Sequence, residues 1–153
     1  MSQILIRSGK PSDIPATLQL IKELAVYERE PDAVVVTEEE LLEDGFGPHP
    51  YYGLLVAELD GSIVGISLYY YRYSTWKGKC LYLEDLVISE PHRGKGIGKQ
   101  LFQATIDQAQ KDKCRRMNWQ VLDWNEPAIK FYETFKASFD GEWLNGYLVF
   151  SED

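Results

Sequence analysis

Cysteine and histidine are scarce in this chain, two of each. Cys80 and Cys114 have neither metal nor redox spacing, and read as small buried apolar residues. His49 lies between prolines and His92 abuts a glycine-rich loop, so neither belongs to a metal-ligand pattern. No cysteine has a histidine near it in the sequence to act as its base, which argues against an acyl-carrying thiol. No metal is expected. Positive charge is also short. Lys and Arg number 16 against 24 Asp and Glu, a net charge of −8. Such a surface repels nucleic acid and anionic membrane and attracts a cationic substrate. No apolar run approaches the roughly 20 residues needed to span a bilayer. Met1-Ser2-Gln3 runs straight into Ile4-Leu5-Ile6, leaving no room for a signal peptide. These features predict a cytoplasmic protein with no nucleic-acid or membrane partner. Repeats, linkers and low-complexity segments are missing too. Residues 1–153 are expected to form one domain with a real core.

Glycine, by contrast, is concentrated where it informs most. Arg93-Gly94-Lys95-Gly96-Ile97-Gly98 follows an apolar strand-like run, Cys80 to Ile88, and opens an amphipathic helical run. Glycine brings bare backbone close to a ligand. The N–H groups at a helix start lack intrahelical partners and carry the positive end of the dipole. Such a loop is suited to a phosphate or diphosphate. It is no Walker loop, because Gly98-Lys99 is followed by Gln100. It also comes too late in the chain for a dinucleotide fingerprint, which occupies the first strand–helix turn.

The rest of the chain alternates between helical and extended patterns, as in a mixed α/β (α+β) fold. Ile4 to Arg7 predicts a strand, and Ser12 a cap for a helix that stops near Pro31. Thr37-x-x-Glu40 is a capping box, opening a second helix that ends near Gly45 to Pro48. Tyr52 to Leu59, the turn Asp60-Gly61 and Ser62 to Tyr73 predict a hairpin. The strand Cys80 to Ile88, the loop and a helix from Ile97 to about Lys111 follow. Met117 to Leu122 predicts a strand. Asn125 caps a helix reaching about Phe135, with Pro127 in its first turn. Trp143 to Phe150 predicts a closing strand.

Arg93-x-x-Gly96-x-Gly98, set in this order of elements, resembles the acetyl-CoA loop of the GNAT N-acetyltransferases. Several strings resemble the spermidine/spermine and thialysine branch of that family. They are Leu20-Ile21-Lys22-Glu23-Leu24-Ala25, Leu42-Glu43-Asp44-Gly45-Phe46-Gly47, Ser74-Thr75-Trp76-Lys77-Gly78, Leu81-Tyr82-Leu83-Glu84-Asp85 and Val121-Leu122-Asp123-Trp124-Asn125-Glu126-Pro127. The third and fifth look closer to the thialysine member. The resemblance implies the GNAT fold, a mixed and mostly antiparallel central sheet flanked by helices. It implies an N-acetyltransferase that moves the acetyl group of acetyl-CoA to a primary amine of a small cationic acceptor, and an intertwined homodimer. Two alternatives stay open at this point. One is a non-catalytic acyl-CoA sensor, the other an enzyme acetylating protein lysines or N-termini.

Acyl transfer to an amine requires a base for the ammonium, polarisation of the thioester carbonyl and an acid for the departing thiolate. By resemblance, Glu84 is the base and Tyr132 the acid. Simple alternation puts Glu84 on the side of Tyr82 and Leu86; the alternative is that Glu84 and Asp85 sit at a bulge, in solvent or in a salt bridge. The resemblance pairs the backbone of Leu86, Val87 and Ile88 with the pantetheine arm, the Leu86 amide polarising the carbonyl. Arg93, Gly94, Lys95, Gly96, Ile97, Gly98 and Lys99 cradle the diphosphate, and Asn125 and Ala128 complete the cofactor contacts. Tyr27, Glu28, Trp76, Glu84, Asp85, Glu142 and Trp143 match or lie near acceptor positions, where carboxylates and aromatic faces attract a cation. Tyr69-Tyr70-Tyr71 and Tyr73 read as exposed aromatic surface compatible with a dimer. Two departures from the family pattern stand out. Lys136 occupies a C-cap position usually held by glycine, and the segment Ser138 to Gly146 is shorter than in relatives.

Overall fold

The computed structural model describes residues 3–151. Two units are distinguished along the chain, residues 1–119 and 120–153.

The first unit is built on a five-stranded sheet with strand order β1-β2-β3-β4-β5. Its strands are β1 (Ile4–Ser8), β2 (Gly53–Leu59), β3 (Ser62–Ser74), β4 (Gly78–Ile88) and β5 (Arg116–Asn118). All neighbours pair antiparallel except β4 and β5, which are parallel. The turn from β2 to β3 is the expected Asp60-Gly61, both at positive φ (+51° and +81°), as a two-residue hairpin requires.

One face of the sheet is covered by α1 (Ile14–Tyr27) and, at its margin, α2 (Glu38–Phe46). Leu20 of α1 packs there against Leu54, Val56, Ile66, Leu68 and Val87. The other face is covered by α3 (Ile97–Lys111), whose Ile97, Leu101 and Ala109 pack on Leu55, Ala57, Val64, Tyr69 and Leu81. Within this apolar layer the Ser67 and Thr105 hydroxyls bond each other at 2.7 Å, and Thr105 also donates to the Leu101 carbonyl. The pairing matters because a buried hydroxyl without a partner is costly.

The start of α1 differs from expectation. Ser12 is exposed and lies in a 3-10 turn, Pro11–Asp13, and Asp13 stands at the helix boundary. The Asp13 carboxylate accepts two bonds from the Arg7 guanidinium, at 2.8 and 3.0 Å, and one from the Lys10 amide. Arg7 also reaches Glu58 at 2.9 Å. The buried carboxylate therefore fixes the entry to α1, tying it to β1 and β2, and the Arg7 bonds hold it below the usual carboxylate range. The capping box of α2 forms as predicted, with Thr37 and Glu40 exchanging side-chain to backbone bonds.

The second unit contains α4 (Glu126–Glu133), capped by Asn125, whose Oδ1 accepts from the Ala128 amide. The helix ends before the expected Phe135. Lys136 takes the glycine-like conformation itself, at φ +63°. The Ala137 amide reaches back to the Tyr132 carbonyl, closing the helix end. The predicted strand Met117 to Leu122 is confined to Arg116–Asn118, and Trp143 to Phe150 forms no strand. A strand exists only by pairing. These residues have a strand-like composition, but no neighbouring strand pairs with them among the described residues.

Candidate active site

The site is organised by one irregularity in β4. Leu68 pairs with Asp85 but Tyr69 pairs with Leu83, leaving Glu84 as an extra residue on β4. Such a bulge breaks the two-residue alternation and bends the strand. It corrects the expectation that Glu84 and Leu86 share a side. Leu86 packs with α3 on one face, while Val87 packs with Leu20 of α1 on the other. Tyr82 feels the charges of both Glu84 and Asp85. The bulge thus turns two consecutive carboxylates toward the same neighbourhood.

Glu28, the residue at the C-terminal end of α1, is close enough to influence both. Asp85 is pushed up to about 7, first by burial and then by the charges of Glu84 and Glu28. Glu28 is also raised, by burial and then by Glu84. Negative charge gathered in a partly buried place is unfavourable until a cation arrives. The Tyr70 hydroxyl donates to Glu84 Oε1 at 3.3 Å, and its own titration is pushed up to about 12 by burial and then by Glu84. Sequence reasoning took Tyr70 for surface. The cross-strand register that brings it to Glu84 has no local signal. Tyr69, also expected at the surface, is buried beneath α3.

Immediately beyond β4 lies the glycine loop. A 3-10 turn, Glu90–His92, is closed by a 2.8 Å bond between Ser89 Oγ and His92 Nδ1. Gly94 and Gly96 then adopt φ of +77° and +80°, and a Cβ at either would meet nothing within 4 Å. Glycine is needed there for backbone conformation rather than space. Gly96 is the N-cap of α3 and offers no side-chain acceptor, and the first helical bond is donated by Gln100. The N–H groups of Ile97, Gly98 and Lys99 precede the first helical bond, beside exposed Arg93 and Lys95. This is a fit for a diphosphate. Arg93 is less free than expected. Its Nε donates to the Ile88 carbonyl at 2.9 Å, and its guanidinium lies 5.5 Å from the centre of the Tyr27 ring.

The far edge of β4 is also open. β5 pairs with it only from Cys80 to Tyr82, so Leu83 to Ile88 have no strand on that side among the described residues. An extended ligand can pair with such an edge. Trp76 is not brought to the carboxylates. It lies in the turn before β4, 83% exposed, at the opposite end of the strand from the loop. In the second unit, Tyr132 is buried on α4 with its ring edge-on to Phe131. Asp140 accepts from the Glu142 amide and the Trp143 indole, both exposed. Among the described residues no group of His, Cys, Asp and Glu is arranged to hold a metal, and no helix is long and apolar enough to cross a membrane.

Residues 16–136 match the acetyltransferase (GNAT) family. A thialysine N-epsilon-acetyltransferase of Bos taurus is 40% identical over 145 residues, covering 90% of this chain and 85% of the relative. A spermine/spermidine N(1)-acetyltransferase of Bacillus subtilis is 32% identical over 106 residues, covering 66% of this chain and 68% of the relative. The solved structure of an aminoglycoside N-acetyltransferase in complex with CoA shares the fold, with a TM-score of 0.76, 20% identity, and coverage of 97% of this chain and 96% of that one.

Proposed function

The chain belongs to the GNAT acetyltransferase family, and from that premise we propose that it acetylates a primary amine of a small cationic acceptor, a polyamine, diamine or thialysine-like amine. It is an acetyl-CoA-dependent N-acetyltransferase. The observation that carries the acceptor class is the meeting of Glu28, Glu84 and Asp85 at the β4 bulge, one short turn before a loop suited to a diphosphate. A cation relieves the mutual repulsion of those carboxylates, and a neutral or anionic acceptor does not.

When bound, acetyl-CoA supplies the activated thioester. Arg93 to Lys99 hold its diphosphate through backbone N–H groups and positive charge, and the open edge at Leu86, Val87 and Ile88 receives its extended arm. Asn125 and Ala128 are assigned to the cofactor by family resemblance. The Leu86 amide draws electron density from the reacting carbonyl. Asp85 and Glu28 attract the ammonium, with Tyr27 next to Glu28 in the chain; Glu142 and Trp143 are acceptor residues by family resemblance alone, and Trp76, exposed at the far end of β4, is left out of this site. An aliphatic ammonium has a pKa of about 10.4 and must be deprotonated before attack. Glu84 takes that proton at Oε1, directly or through water, while the Tyr70 hydroxyl holds the carboxylate in place. The Tyr132 hydroxyl returns a proton to the thiolate, and transfer is direct, without an acyl-enzyme.

The family match crosses the boundary between the two units, which supports one acetyltransferase domain over residues 1–153. A cytoplasmic setting suits the two free thiols. The test is thiol release from acetyl-CoA against spermidine, spermine, putrescine, thialysine, lysine and a lysine peptide. Release with the small cationic amines is expected, and Tyr132→Phe and Glu84→Gln each lower turnover by about 10²-fold or more. No release with any small amine, or normal turnover in both variants, would overturn the reading.

A further inference from the structure

Arg93 is the one charged side chain of the glycine loop that also touches the acceptor side. Its Nε is bonded to the Ile88 carbonyl at 2.9 Å, which fixes the guanidinium at the end of β4. The guanidinium carbon lies over the Tyr27 ring, 5.5 Å from its centre. Tyr27 is the last residue of α1, and the next residue is Glu28, which shares the carboxylate cluster with Glu84 and Asp85. The chain turns sharply here, Arg29 standing at φ +67°. No basic residue lies in the last turn of α1, and the contact with Tyr27 brings the Arg93 charge to the last residue of that helix.

The bonding leaves a division of labour. One nitrogen of Arg93 serves the strand and its face serves Tyr27. The two terminal Nη groups have no hydrogen-bond partner among the described residues, although a guanidinium fork fits two phosphate oxygens. Lysine could supply the charge but neither the flat face nor the fork.

We propose that Arg93 is a positioning residue for the amine as well as a phosphate ligand. By stacking on Tyr27 it holds the end of α1, and with it Glu28, against the β4 bulge. A diphosphate on the loop and a cation among the carboxylates then share one mechanical link. The proposal rests on the acceptor reading above and goes beyond it, because the general role of such a loop concerns the cofactor alone.

The test is a double-mutant cycle on amine KM, measured by thiol release at saturating acetyl-CoA with thialysine and with spermidine. The proteins are the wild type, Arg93→Lys, Tyr27→Leu and the double variant. The acetyl-CoA KM is measured separately at saturating amine. Arg93→Lys is expected to raise the amine KM by roughly two- to fivefold, the range of an exposed cation–π contact, on top of any change in the acetyl-CoA KM. Tyr27→Leu raises it too, and the double variant is no worse than the worse single one. An Arg93→Lys effect confined to the acetyl-CoA KM would overturn the proposal, as would additive effects in the double variant. So would a fall in kcat and melting temperature with an unchanged amine KM, which would mark a purely structural contact. A wild type that acetylates neither amine, nor any other in the panel, would overturn the acceptor reading itself, and this inference with it.

Discussion

At the scale of single residues, Asp85 has the most unusual chemistry. Burial, and then the charges of Glu84 and Glu28, push its carboxyl from 3.8 up to about 7. The folded chain therefore keeps a proton that the unfolded chain has already lost. Folded stability falls as the pH rises from about 4 to about 7, and the loss is complete above that. Asp85→Asn removes this residue's share of the dependence. In thermal melts, the wild type should lose several degrees relative to this variant between pH 5 and pH 8, at about 2–4 °C per kcal/mol for a chain of this size. Parallel pH profiles for the two proteins would contradict this account. Residue type alone made Glu84 and Asp85 legible as candidates, since charges inside an apolar run need a purpose. That Asp85 titrates near neutrality was not legible, because burial and the neighbouring Glu28 are set by packing between α1 and β4.

Among the elements, those defined by local chemistry were readable. The capping box of α2, the Asp60-Gly61 turn and the limits of α3 all follow from short-range backbone demands. The glycine loop belongs with them. Gly96 stands at φ +80° with open space where a side chain would project, so Gly96→Ala carries a backbone penalty and no clash. That penalty, about 1–2 kcal/mol, is expected to weaken acetyl-CoA binding by roughly tenfold, as calorimetric titration can check. Unchanged affinity would remove the loop's geometry from the binding account. The β4 bulge could be raised from the paired charges of Glu84 and Asp85 but not settled, for the opposite reason. Cys80 to Ile88 reads as one continuous run, and the surplus residue appears only in the register against β3. The start of α1 failed similarly. Ser12 is a good local cap, but Asp13 is held from a distance by Arg7.

On the scale of the whole molecule, the described part of the C-terminal segment sets the question. Leu144, Tyr147, Leu148 and Phe150 are 98%, 86%, 82% and 94% exposed and form no strand. A single chain rarely leaves such an apolar stretch in water. We propose that the segment is covered by a second copy, in the homodimer that the family resemblance implies. Sedimentation of the full chain at micromolar concentration should give a dimer, and a chain ending at Gly141 should give a monomer. A full chain that sediments as a monomer, or a shortened one that still dimerises, would count against that assembly. Trp143 to Phe150 has the composition of a strand and forms none among the described residues, because a strand needs a partner and composition does not supply one.

Glu84 is surplus to the sheet. A β4 shorter by that one residue would match β3 rung for rung and keep Asp85 opposite Leu68. On the proposed role of Glu84, folding and turnover therefore place opposite demands on the length of this strand. A chain lacking Glu84 would keep the sheet in register and, on that role, take up the thioester without turning it over.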